Sequence, residues 1–85
     1  MPKFTYPVVF IFNEETQAQT GYIPDVAIFS AGETPEDVYA ELEEVLKHYI
    51  KFSLKHDTEI PTPTSLDDIT KKWKGYKVSL ITAEI

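Results

Sequence analysis

From the N-terminus, apolar side chains stand at Phe4, Tyr6, Val8, Phe10 and Phe12, and the positions between include Pro7, Val9 and Ile11. The alternation predicts a strand over Lys3–Phe12. Because both of its faces are largely apolar, the strand belongs in the middle of a sheet. Pro7 has no N–H to give a ladder, so one neighbouring strand must begin beyond it or bulge there. The polar stretch from Asn13 to Gln19 reads as a hairpin loop. A second strand is expected over Thr20–Val26, with Pro24-Asp25 as a turn or strand-end signal. A short third strand follows over Ala27–Ala31, and Gly32 is expected to end it at positive φ.

The period then changes from two to 3.6. Thr34 is a good N-cap, Pro35 suits the first helical position, and Glu36 and Asp37 place negative charge at the positive end of the dipole. Val38, Leu42, Val45, Leu46, Tyr49, Ile50 and Phe52 form the apolar stripe of an amphipathic helix over Pro35–Lys55. Glu43 and Lys47 sit at favourable i, i+4 spacing. The prolines in Ile60-Pro61-Thr62-Pro63-Thr64 keep the next segment extended. Ser65-Leu66-Asp67-Asp68 opens a short helix reaching about Lys72, with Trp73 closing it onto the body. Gly75 breaks the pattern, and Tyr76–Glu84 alternates as a last strand. The predicted fold class is α+β, in the order β-β-β-α-(short α)-β, with one long helix packed on the sheet. Three strands form an antiparallel meander. A right-handed crossover through the long helix would lay the fourth strand parallel to the first.

An 85-residue chain supplies one core, so residues 1–85 read as a single domain. The small size makes homo-oligomerisation an expected source of stability. With 14 acidic against 8 basic residues the net charge is −6, and every base is lysine. A negative field repels phosphates, so direct nucleic-acid binding is not expected, and a small basic protein is the natural partner. The chain has no cysteine and no apolar run of roughly 20 residues. No signal peptide is recognisable either. These features predict a cytoplasmic protein with no membrane contact.

Catalytic chemistry is hard to find. His48 and His56 stand about 12 Å apart along a helix, too far to share an ion. The acidic pairs Glu14-Glu15, Glu43-Glu44 and Asp67-Asp68 are neighbours in sequence and do not converge on one point. Gly21, Gly32 and Gly75 are scattered, and no phosphate loop, nucleophile elbow or zinc spacing is present. No enzyme activity, cofactor or metal is expected. The candidate contact residues are the acids around the helix start, Glu33, Glu36, Asp37, Glu41 and Glu44, together with Tyr39 on the flank of the apolar stripe and Trp73. Each acid also suits a merely solvated helix face.

Tyr6-Pro7-Val8-Val9-Phe10, Gly21-Tyr22, Pro24-Asp25, the run from Ser30 to Asp37, the proline-rich turn Ile60–Thr64 and the strand Tyr76–Glu84 together resemble the HicB-like antitoxin family. The resemblance covers nearly the whole chain through the order and spacing of its parts. It implies a partly degraded ribonuclease-H-like fold that neutralises HicA-type toxins, small basic ribonucleases, by covering their active surface. In ribonuclease H the first strand carries an essential acid; Phe4–Phe12 has none, so nuclease activity is not implied. Many family members continue into a DNA-binding domain after the last strand, whereas this sequence stops at Ile85, so operator binding is not expected. The alternative is an orphan HicB-like scaffold or homo-oligomeric binding domain with no toxin partner.

Overall fold

The computed structural model describes residues 2–85. Six elements follow in order: β1 (Lys3–Asn13), β2 (Ala18–Ile23), β3 (Ile28–Gly32), α1 (Pro35–Lys55), α2 (Leu66–Lys72) and β4 (Lys77–Glu84). They form one sheet of order β3-β2-β1-β4, so β1 is central, as its two apolar faces require. Pro7 is accommodated by β2, whose register with β1 runs from Val9↔Tyr22 to Asn13↔Ala18 and stops short of the proline. The second hairpin is shorter than expected: β2 ends at Ile23 rather than Val26 and β3 starts at Ile28 rather than Ala27, which leaves residues 24–27 as the turn.

α1 lies on one face of the sheet. Thr34 caps it by accepting from the Asp37 N–H at 3.2 Å, and Val38, Leu42, Leu46 and Ile50 are fully buried along its stripe. They meet Tyr6, Val8, Ile23, Ile81 and Ala83 from the sheet. Gly21 permits this closeness: a Cβ there would lie 2.5 Å from Leu42 Cδ1 and 2.6 Å from Val38 Cγ1. Gly32 does not adopt the positive φ expected of it; Gly75 does, at φ 94°. Gly32 instead leaves room for Val38, whose Cγ2 would stand 3.3 Å from an added Cβ.

α2 covers the opposite face. Val9 and Ile69 are both buried yet lie outside the α1 cluster. Tyr22 alternates with Gly21 and so points away from α1; the Trp73 ring meets it edge-on at a centroid distance of 5.8 Å.

This second layer overturns one expectation. The fourth strand is not parallel to the first: β4 runs antiparallel to β1, with Lys3 opposite Glu84, Tyr6 opposite Ile81 and Phe10 opposite Lys77. The whole sheet is antiparallel. The physical reason is a second crossing. α1 carries the chain to the end of the sheet where β1 begins, and a strand entered there would run parallel to β1. The extended segment is held at that end instead. The Tyr6 hydroxyl donates to the Pro61 carbonyl at 2.7 Å, and Asp25, in the β2–β3 turn, accepts from the Thr64 N–H at 3.0 Å and from its hydroxyl. α2 then returns along the far face to the other end, where β4 starts.

Burial holds the Tyr6 phenol above its ordinary pKa, with smaller contributions from Tyr49 and Asp25. The folded protein therefore keeps a proton that the unfolded chain releases, and stability falls as pH rises past the ordinary value of 10.0. Urea unfolding between pH 8 and 11 should show this loss, and Tyr6→Phe should reduce it while costing about 1 kcal/mol at neutral pH for the hydrogen bond to Pro61. Gly21→Ala should destabilise by about 1–3 kcal/mol through overpacking. In a double-mutant cycle it should cost less in a Leu42→Ala background; additive costs would contradict the contact.

Candidate protein-binding surface

The start of α1, the end of β1 and the start of β4 meet at one end of the molecule. Between them runs an open groove of about 310 Å³ lined by Phe10, Pro35, Glu36, Tyr39, Lys77 and Ser79. A second depression adjoins it, sharing Phe10, Pro35 and Lys77 and adding Phe12, Glu14, Gln19, Gly75 and Tyr76. Each part has a local cause. Phe10 and Phe12 project on the α1 side of β1, but α1 begins only at Pro35 and does not extend over the strand end, so Phe12 stays 47% exposed and Tyr76 48%. Tyr39 leans from α1 toward β4 and donates its hydroxyl to the Leu80 carbonyl at 3.2 Å. The floor is aromatic and the rim carries Glu14, Glu36 and Lys77. Such a surface suits docking of a protein side chain or segment.

Helical periodicity divides the predicted acids. Glu36 and Tyr39 share the side facing β4 and line the groove. Asp37, Glu41 and Glu44 recur at i, i+4 and i+7 on a different, exposed side. Glu33 is exposed in the bend before α1. Trp73 belongs elsewhere: it is half-buried on the α2 face of the sheet, between Tyr22 and Tyr76, with the sheet separating it from α1. Its indole N–H is buried without a hydrogen-bond partner. Tyr76 connects the two regions, stacking edge-on against Trp73 at 5.9 Å while lining the second depression.

The sequence reading did not single out Phe10, Phe12, Tyr76, Lys77 or Ser79 as groove residues. Phe10 and Phe12 carried a signal, since they extend the strand stripe past the point the helix reaches. Lys77 and Ser79 carried none without the direction of β4. Both histidines are exposed, and among the described residues no group of three His, Cys, Asp or Glu side chains could hold a metal ion. No helix among them is long and apolar enough to cross a membrane.

Fold and surface together define a small sheet domain with an open groove at one end. The family model described as HicB_like antitoxin of bacterial toxin-antitoxin system matches residues 6–85. The chain belongs to this family, whose members are antitoxins rather than enzymes. Among solved structures, the N-terminal domain of the Burkholderia pseudomallei antitoxin HicB superposes with a TM-score of 0.83 at 14% identity, covering 96% of this chain and 100% of that one. Against the longer HicB chain from the same organism the TM-score is 0.81 at 14% identity, and the match covers 96% of this chain and 64% of that chain. A chain of a toxin–antitoxin complex from Streptococcus pneumoniae gives 0.80 at 18% identity, over 98% of this chain and 70% of that one. A chain of the HicA3 and HicB3 toxin–antitoxin complex gives 0.65 at 26% identity, over 96% of this chain and 100% of that one. No curated protein matches the sequence significantly.

Trp73 offers a check on the second layer. Trp73→Phe keeps ring packing against Tyr22 and removes an unpaired buried N–H, so it should be within about 1 kcal/mol of the parent. Trp73→Ala loses the ring altogether and should cost about 3 kcal/mol. Equal costs in urea unfolding would contradict the placement of the ring.

Proposed function

We propose that this chain is an antitoxin that binds a small basic ribonuclease of the HicA type and neutralises it by covering its active surface in the cytoplasm. The observation that carries the reading is the family match across residues 6–85. The likeness to a chain of the HicA3 and HicB3 complex at 26% identity supports it. The net charge of −6 fits a basic partner. The groove between α1 and β4 is the proposed docking site: Tyr39 and Phe10 would receive an apolar anchor, and Glu36 with Glu33 and Glu14 would face the partner's bases. Asp37, Glu41 and Glu44 would add long-range attraction, which speeds encounter more than it tightens the complex.

The test is co-purification with the product of an adjacent small open reading frame, followed by an RNA-cleavage assay. Complex formation below micromolar concentration and suppression of cleavage are expected. The double variant Glu36→Lys/Tyr39→Ala should bind at least about tenfold more weakly, which corresponds to about 1.4 kcal/mol. Trp73→Phe, on the other face of the sheet, should bind as the parent does. A folded domain that forms no complex at micromolar concentration contradicts the reading.

A further inference from the structure

β3 ends the sheet on the side away from β4 and has a strand neighbour on one side only. Its register with β2 runs unbroken from Ile23↔Ile28 to Gln19↔Gly32. Alternate residues of β3 therefore turn their N–H and C=O groups outward. Charge, proline and bulges are common means of blunting such an edge. β3 uses none of them, since the run Val26–Gly32 carries neither charge nor proline. Its length of five residues limits what can pair with it. The two faces beside this edge differ. On the α2 face Phe29 stands opposite Tyr22 and is 71% exposed, the most of any large apolar side chain among the described residues. On the other face runs one flank of α1. Asp37 stands over the end of β3, its Cβ 3.7 Å from where a Cβ on Gly32 would lie. Glu41 and Val45 follow Asp37 at intervals of four, which keeps the three on one side of the helix. The row is about 12 Å long, close to the rise of four strand residues, about 13 Å. Asp37 and Glu41 are exposed and Val45 is 37% exposed. None of the three lines the groove.

We propose that β3 accepts a short extended segment of a basic protein partner as an added strand of the sheet. The added strand lies about 4.8 Å beyond β3, and its side chains alternate between the two faces. Those on the α1 face come beside Asp37 and Glu41, which suit lysine or arginine. The stem of either base can lie along Val45 while its charge reaches an acid. Those on the α2 face come beside Phe29, which suits valine, isoleucine or an aromatic ring. The occupant is thus a run in which bases and apolar residues alternate. Charge assigns it to β3 rather than to the opposite edge of the sheet: Lys74 and Lys77 stand at the start of β4 and repel a basic segment. The contact gives Asp37 and Glu41 a direct role at close range. This inference does not rest on the toxin reading, because its test needs only the purified chain and a synthetic peptide.

The probe is a capped peptide of about seven residues in which lysine and valine alternate, followed by fluorescence anisotropy and amide NMR. Binding at about 100 μM or tighter is expected at low salt, with amide shifts at Phe29, Ser30 and Ala31. A peptide of the same composition, with its lysines and valines in separate blocks, should bind at least about tenfold more weakly. N-methylation of one set of alternate peptide amides should abolish binding, and of the other set should be tolerated, since only one set faces β3. Phe29→Ser and Asp37→Asn/Glu41→Gln change exposed side chains and should keep the parent circular dichroism. Each should weaken the alternating peptide about fivefold or more. Leu80→Ser, on the β4 edge, should leave its binding unchanged. No binding of the alternating peptide overturns the proposal. So does equal binding of the block peptide, tolerance of N-methylation in both sets, or binding that Leu80→Ser weakens and Phe29→Ser does not.

Discussion

Two tethers beneath the sheet decide the architecture. The Tyr6 hydroxyl holds the Pro61 carbonyl, and Asp25 holds Thr64 through both its backbone and its hydroxyl. The proline-rich segment between the helices has little preference for any one path of its own. These bonds fix it at the end of the sheet where α1 delivers it, and turn it onto the far face. From there α2 carries the chain back along the far face, where Val9 and Ile69 are both buried. The direction of β4 follows from that return.

The direction of β4 in turn creates the surface proposed to bind. Because β4 starts at the α1 end, Lys77 and Ser79 stand beside Pro35, Glu36 and Tyr39. A parallel β4 would have placed Ala83 and Glu84 there instead, with a different charge. The same direction puts Leu80 opposite Pro7, the one residue of β1 that has no N–H to offer a neighbour. On the helix side of the sheet α1 packs tightly at Gly21, where Leu42 and Val38 approach the backbone more closely than any side chain would allow.

Much of this was legible in the sequence, for identifiable reasons. α1 carried a cap, a proline at its start and a continuous stripe, and its bounds came out at Pro35–Lys55 as expected. β1 was marked as central by its two apolar faces. The direction of β4 was not legible, because the segment from Asp57 to Tyr76 is long enough either to stay on one face or to cross to the other. Its hydrogen-bond partners, Tyr6 and Asp25, are far away in sequence. The position of Trp73 on the α2 face was not legible for the same reason, since nothing local says which face of the sheet it meets. The acids were partly legible: spacing alone separates Asp37, Glu41 and Glu44 from Glu36 and Tyr39, once the helix phase is set by the buried Val38 and Leu42. Gly32 was read as a conformational glycine and proved to be a spatial one, a distinction that depends on the Val38 side chain packed above it.

The antiparallel return of β4 is the claim on which the groove rests, and cross-strand NMR contacts test it most directly. Non-hydrogen-bonded antiparallel pairs bring Cα atoms to about 4.5 Å. Strong Hα–Hα cross-peaks are therefore predicted for Thr5 with Thr82, Pro7 with Leu80 and Val9 with Val78, pairs whose residue numbers rise on one strand as they fall on the other. Cross-peaks between β1 and β4 whose residue numbers rise together would contradict it and move Lys77 away from the groove.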